Sequence, residues 1–238
     1  MRVFAGPNGS GKSAVYNLVR QQYRIGYYVN ADEIEKELSE KGFLQLADLG
    51  VYLSQTAFDK YLLSSPFLNK SKESSLGINL KLKDNVLASA GTGSNSYEAA
   101  FVAELFRWEY LKNGLTFSFE TVMSHPSKLE VFQKASKGGY KAYLYFVCTQ
   151  DPSINETRIK NRVAKGGHPV PETKIRERYF RSLEILADAA NHAYRTYLFD
   201  NSGEKSILLA ELTPEKEIII QSDAIPEWLD KYFLEKLS

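Results

Sequence analysis

Hydrophobic and polar positions follow two rhythms along this chain, and the changes of rhythm predict its elements. Val3, Phe4 and Ala5 form a short apolar strand, and Val15, Leu18 and Val19 then recur at helical spacing over residues 11–22. A second short strand at residues 26–29 precedes a stretch of helical pattern over residues 34–63, with a break near Lys41-Gly42. Residues 64–66 and the polar run 69–75 have the composition of turn and loop. Period two returns at Ile78, Leu80 and Leu82, with Asn79, Lys81 and Lys83 between, and predicts a β-hairpin turning at Asp84-Asn85. After a loop at 91–96, Asn95 and Glu98 have the spacing of a capping box and open a helix that runs to about residue 113.

The second half repeats strand and helix in turn. Strands are predicted at 115–119, 140–147 and 197–199, with helices starting near Ser127, at Asp151-Pro152 and over 172–191. A strand pair, 206–212 and 217–221, follows around Thr213-Pro214, and residues 226–237 form a terminal helix that turns Trp228 and Phe233 inward. The run at 140–147 is apolar on both faces, as the central strand of a parallel sheet must be. The expected fold is therefore α/β in three layers. Its five-stranded, mainly parallel sheet carries helices on both faces, a small inserted hairpin and the C-terminal strand pair. Residues 1–238 read as one domain, with 65–95 as an insertion or flap and 164–171 as a lid loop.

Composition narrows the partners. With 43% hydrophobic and 13% aromatic residues, 238 residues can bury one sizeable core. A formal net charge of +1 gives no global attraction to nucleic acid or membrane, and no apolar run is long enough to span a bilayer. Small molecules are the expected partners. The first strand begins at residue 2 and a single cysteine, Cys148, ends an apolar run, so a cytoplasmic location and a buried thiol are expected.

The chemistry begins at residues 6–13, GPNGSGKS, directly after the first strand. This is a P-loop: its glycines let successive N–H groups curl around phosphate oxygens, and the helix that follows adds the partial positive charge of its N-terminus. Gly6, Asn8, Gly9, Ser10, Gly11, Lys12 and Ser13 are the candidate ATP-binding residues, with Lys12 on the β/γ-phosphates and the Ser13 hydroxyl on Mg²⁺. Three further groups stand at predicted strand ends or on the predicted lid. Asp32 follows the second strand, where a carboxylate can cap a helix or act on a bound substrate. Glu120 and Thr121 end the strand 115–119, with Ser124 nearby; Glu120 is suited to a Mg²⁺ water shell or to a substrate hydroxyl. Arg158 and Arg162 share one face of the helix that leads into Gly166-Gly167, and Arg176, Arg178 and Arg181 follow on the next. Positive charge on a flexible lid is what phosphoryl transfer needs.

Taken together, the P-loop, VNADEIE (29–35), SFETVMSHPSK (118–128), the Arg158/Arg162 helix, KGGHPVPE (165–172) and LFDNS (198–202) resemble the zeta toxin family of P-loop kinases. The resemblance implies a kinase using ATP and Mg²⁺, whose best-known members phosphorylate the 3′-hydroxyl of UDP-N-acetylglucosamine. It implies Lys12 and Ser13 in the roles above, Asp32 as the aspartate that orients and deprotonates the acceptor hydroxyl, and Glu120 and Thr121 at the sugar site. Arg158 matches an arginine that stabilises the transferring phosphoryl. Glu120 and Thr121 are adjacent here, where the toxin pattern has a residue between them. The family's second arginine lies beyond Arg162, which leaves Arg176 as an alternative. An antitoxin is the protein partner that the resemblance brings into view, and two other readings stand beside the kinase. One is an ATPase driving a partner, against which no LSGGQ-like signature or strand-terminal Asp-Glu pair occurs; the other is an ATP-binding protein acting by association.

Overall fold

The structure is a computed structural model, and residues 1–68, 77–90, 94–167 and 169–237 are described. In chain order its strands and main helices are β1 (Arg2–Ala5), α1 (Lys12–Gln22), β2 (Tyr27–Val29), α2 (Ala31–Lys41), β3 (Phe43–Gln45), α3 (Gln55–Ser64), β4 (Leu80–Lys83), β5 (Val86–Ser89) and α4 (Ser96–Lys112). They continue with β6 (Phe117–Thr121), α5 (Glu130–Lys137), β7 (Tyr143–Cys148), α6 (Pro152–Ala164), α7 (Glu172–Glu184), α8 (Leu186–His192), β8 (Arg195–Asp200), β9 (Ile207–Leu212) and β10 (Ile218–Ile220). The chain divides into two compact units, Met1–Ile25 with Ser118–Ser238, and Gly26–Phe117.

The first unit carries the mainly parallel sheet that the alternating pattern predicts. Its strands lie in the order β10-β9-β8-β7-β1-β6. Strands β6, β1, β7 and β8 run parallel, and β9 and β10 are antiparallel to their neighbours. The predicted C-terminal strand pair thus extends the sheet, which exceeds the five strands expected. The reason is chain length: residues 201–206 are too few for a parallel crossover, so β9 must fold back beside β8 as a hairpin partner. Val3, Phe4, Ala5, Leu144, Phe146 and Val147 are fully buried, which explains why β1 and β7 read as continuous apolar runs. Across the sheet, Tyr145 stacks between Phe4 and Tyr197, each at 5.0 Å between ring centroids, so the tyrosines of these strands are packing residues. The Cys148 thiol is buried and its pKa is pushed up to about 12, chiefly by desolvation, as expected of a structural cysteine. The helix expected over 172–191 breaks at Ile185 into α7 and α8.

In the second unit the hairpin forms as the alternation predicts. Asp84 (φ 50) and Asn85 (φ 60) take the left-handed conformations of a tight turn, which these side chains tolerate better than most. The break expected near Lys41-Gly42 forms, and the helical pattern expected directly beyond it is corrected by the structure. Gly42, at φ 79, caps α2, and Phe43–Gln45 becomes β3, paired antiparallel with β5 to give a sheet of order β3-β5-β4. Leu44 stands opposite Leu87 in this pairing, and both are buried. Helix resumes at Gln55, capped by the Ser54 hydroxyl. Asn95 caps α4, accepting from the N–H groups of Tyr97 and Glu98. The Glu98 carboxylate is buried and accepts from the Asn79 N–H at 2.7 Å, which ties α4 to the hairpin. Of the expected insertion at 65–95, residues 69–76 and 91–93 lie outside the described residues.

Candidate active site

The loop of residues 6–13 connects the C-terminal end of β1 to α1, at the edge where parallel sheets place their ligands. Its glycines are dictated by close approach. Gly6 (φ 140) donates its N–H to the Thr121 carbonyl at 3.3 Å, and a Cβ there would run into the Val147 carbonyl oxygen. Gly11 (φ 94) is the left-handed residue from which α1 starts, and a Cβ there would overlap the Asn201 amide. The Lys12 ammonium is folded back on the loop, donating to the carbonyls of Gly6 at 3.0 Å and Pro7 at 2.9 Å. The Ser13 hydroxyl donates to a Glu120 carboxylate oxygen at 2.9 Å. That contact follows from the parallel pairing of β1 and β6, which sets Ala5 beside Thr121 and brings both strand ends to one rim.

Three residues from other elements support the loop. The Asn155 amide, on α6, donates to the Asn8 carbonyl at 2.6 Å, and the Asn201 amide, just after β8, donates to the Ser10 carbonyl at 2.8 Å. Arg178, on α7, donates to the Asn8 side-chain oxygen at 3.3 Å. Asn201 lies inside the LFDNS segment and so had a signal in the sequence. Asn155 had none, and Arg178 stood in the sequence only as one of three arginines on its helix, because a helical asparagine or arginine carries no mark of what it faces after folding. Ser10 is fully buried, and its hydroxyl has no hydrogen-bond partner among the described residues.

Helix α6 is capped by Asp151, whose carboxylate accepts from the Ser153 N–H at 2.7 Å; hydrogen bonding from the Ser153 side chain, and then from this N–H, lowers its pKa. Arg158 donates to the Gly203 carbonyl at 3.2 Å, and its other terminal nitrogen is buried with no hydrogen-bond partner among the described residues. Arg158, Asn161, Arg162, Lys165, Gly166 and Gly167 line an open cavity of about 500 Å³. Arg176 pairs with Glu156 at 2.6 Å and Arg181 with Glu177 at 2.9 Å, leaving Arg178 as the arginine of α7 that reaches the loop. In the segment 164–171, His168 lies outside the described residues.

Thr121 serves the loop through its carbonyl and accepts from the Met123 N–H at 3.1 Å through its hydroxyl. Met123 is fully buried at φ 54, a strained conformation for a non-glycine residue, and half-buried Ser124 follows it. His125 caps the next turn, accepting from the Ser127 N–H. In the second unit, Asp32 is exposed in the first turn of α2, where Asn30 provides the cap by accepting from the Asp32 N–H at 2.9 Å.

Ser13 and Glu120 offer hard oxygen donors side by side, a set that fits Mg²⁺, which keeps much of its water and takes few protein ligands beside phosphate oxygens. The backbone of residues 6–13 and Lys12 together suit a polyphosphate. Among the described residues, no helix is long and apolar enough to cross a membrane.

Similarity to known proteins bears on these observations. Among solved structures, a chain of the AvrRxo1-ORF1:AvrRxo1-ORF2 complex with sulphate ions aligns at TM-score 0.54 and 13% identity, over 93% of this chain and 60% of that one. The complex with ATP aligns at TM-score 0.50 and 12% identity, over 92% and 60%. The PezAT toxin–antitoxin system of Streptococcus pneumoniae aligns at TM-score 0.49 and 10% identity, over 98% and 78%. This chain thus spans about 60% of the length of the AvrRxo1 complex chains it matches. At such identities the AvrRxo1 likeness is one of fold. Comparison with curated proteins gives no match. The family model described as zeta toxin matches residues 89–213, slightly more than half of the chain, taking in β6, α6, α7 and β8. The chain therefore belongs to the zeta toxin family.

Proposed function

We propose that the chain is an ATP-dependent kinase that moves the γ-phosphoryl group of ATP onto a hydroxyl of a small molecule. The observation that carries this reading is the 2.9 Å hydrogen bond between Ser13 and Glu120 at the mouth of the P-loop. It joins the hydroxyl that a P-loop offers to a divalent cation with a carboxylate from the adjacent strand. Ser13 would hold Mg²⁺ and Glu120 would hold the ion or one of its waters, so that Glu120 works on the metal side of the site. Bound there, Mg²⁺ supplies positive charge against the β- and γ-phosphate oxygens.

The chain's own groups do the rest. Lys12 exchanges the Gly6 and Pro7 carbonyls for phosphate oxygens, replacing neutral acceptors by charged ones. Arg158 and Arg178 place guanidinium charge on the migrating phosphoryl, and Arg162 lines the cavity over which the lid closes. On the strength of the motif in which it stands, Asp32 takes the proton of the acceptor hydroxyl. The acceptor oxygen then bonds to the γ-phosphorus as the bond to the ADP oxygen breaks. Thr121 and Ser124 are assigned to the acceptor, for which the family resemblance favours a UDP-sugar such as UDP-N-acetylglucosamine. AvrRxo1-ORF1 occurs in complex with AvrRxo1-ORF2, which supports an antitoxin-type protein as a further partner here.

ADP formation by the purified chain with ATP and Mg²⁺, measured against a panel of UDP-sugars, tests the reading. Stimulation by an acceptor is expected. A basal rate that no acceptor changes would overturn the kinase and favour an ATPase.

A further inference from the structure

A loop whose N–H groups converge on phosphate must turn carbonyls the other way, and buried carbonyls need donors. Two carbonyls of this loop are held by side chains far away in sequence. Asn155 Nδ2 donates to the Asn8 carbonyl at 2.6 Å, and Asn201 Nδ2 donates to the Ser10 carbonyl at 2.8 Å. Both asparagines are buried, at 0% and 7% exposure. The far side of each amide is fixed as well. Asn155 Oδ1 accepts the Thr149 hydroxyl, and Asn201 Oδ1 accepts the Ser206 hydroxyl at 2.7 Å. A carbonyl can only accept, so each amide must turn its nitrogen to the loop, and the hydroxyl on the far side is left to donate to the amide oxygen. The two arms also share one root: Thr149 follows Cys148, whose carbonyl accepts the Asn201 N–H at 2.8 Å. The end of the central strand β7 therefore anchors a clamp on both sides of the loop.

We infer that Asn155 and Asn201 are positioning residues that hold the loop in its phosphate-binding form before nucleotide arrives. This rests on the reading of residues 6–13 as the ATP site and adds the device that pre-organises it. With the carbonyls pinned outward, binding carries no cost of ordering the loop, and the gain appears as ATP affinity. The residues touch no phosphate themselves.

The test replaces each amide by its isostere, N155D and N201D, which turns a donor into an oxygen facing a carbonyl oxygen. S206A and T149V serve as milder variants that remove the hydroxyl behind each amide, T149V also giving up the contact with the Asp151 carbonyl. ATP and ADP affinities are measured by calorimetry on the full chain, with melting temperature and steady-state kinetics alongside. Loss of one such contact is expected to weaken ATP and ADP binding about tenfold in the aspartate variants and by a smaller factor in S206A and T149V. KM for ATP should rise more than kcat falls. Should an aspartate variant fail to fold, the milder pair carries the test. Wild-type-like affinity in variants that fold would overturn the clamp, as would a fall in kcat and melting temperature with KM unmoved. Absence of ATP binding by the wild-type chain would instead overturn the nucleotide-site reading on which the clamp rests.

Discussion

Replacing Gly11 by alanine perturbs the loop at one atom, and the structure lets the cost be split into two parts. Gly11 sits at φ 94, where left-handed backbone costs an L-residue about 1–2 kcal/mol. The added Cβ also occupies the place of the Asn201 amide, which must give up the Ser10 carbonyl and the Ser206 hydroxyl. Leaving a buried polar group unsatisfied costs about 1–3 kcal/mol more. Gly139 provides the control, because it has φ 74 and nothing lies within 4 Å of where a Cβ would stand. G139A should therefore show the backbone cost alone, and G11A about twice that or more. For a chain of this size each kcal/mol lowers the melting temperature by about 2–4 °C. Differential scanning calorimetry reads both variants, and calorimetric titration with ATP reads the site. G11A should lose ATP affinity by about tenfold or more, since the loop and its clamp shift together, while G139A should bind as wild type does. Equal melting shifts in the two variants, or unchanged ATP affinity in G11A, would refute the reasoning.

The same geometry makes other expectations. R178A should lower kcat about 100-fold or more while R176A changes it only a few-fold, because Arg178 reaches the loop and Arg176 is paired with Glu156; equal losses in steady-state assays would remove the distinction. Cys148 should resist a thiol reagent at about pH 8 in the native chain and react once denaturant is added, because burial holds its pKa near 12. The sign for stability follows. Between about pH 9 and 12 the unfolded chain releases a thiol proton that the folded chain keeps, so this group makes stability fall as pH rises through that window. Denaturation midpoints of wild type and C148A across that range check it, with the wild-type decline the steeper.

Much of this could be read from the sequence where local pattern and tertiary demand agree. The loop at 6–13, the turn at Asp84-Asn85 and the doubly buried β7 are such places: the residue types that make them are the ones their local geometry requires. The failures are equally physical. Residues 43–45 have no strand signal of their own and are strand only because β5 offers partners. Glu98 has the spacing of a capping box, yet the Asn79 N–H claims its buried carboxylate. The C-terminal strand pair was visible, but its attachment to β8 depends on pairing between elements. At the site, the loop and Glu120 were legible by type and position. Asn155 was not, and Arg178 could not be told from Arg176 and Arg181, because their contacts exist only once α6 and α7 face the loop.

The central claim is transfer of a phosphoryl group to an acceptor, and the direct measurement follows the phosphorus. ATP labelled in the γ-phosphate is incubated with the chain, Mg²⁺ and each UDP-sugar in turn, with K12M and D32N in parallel. The account predicts label on an acceptor with the wild-type chain, and transfer reduced by about two orders of magnitude or more in both variants, which should still melt close to wild type. Label released only as inorganic phosphate with every acceptor, or wild-type transfer by K12M, would contradict it.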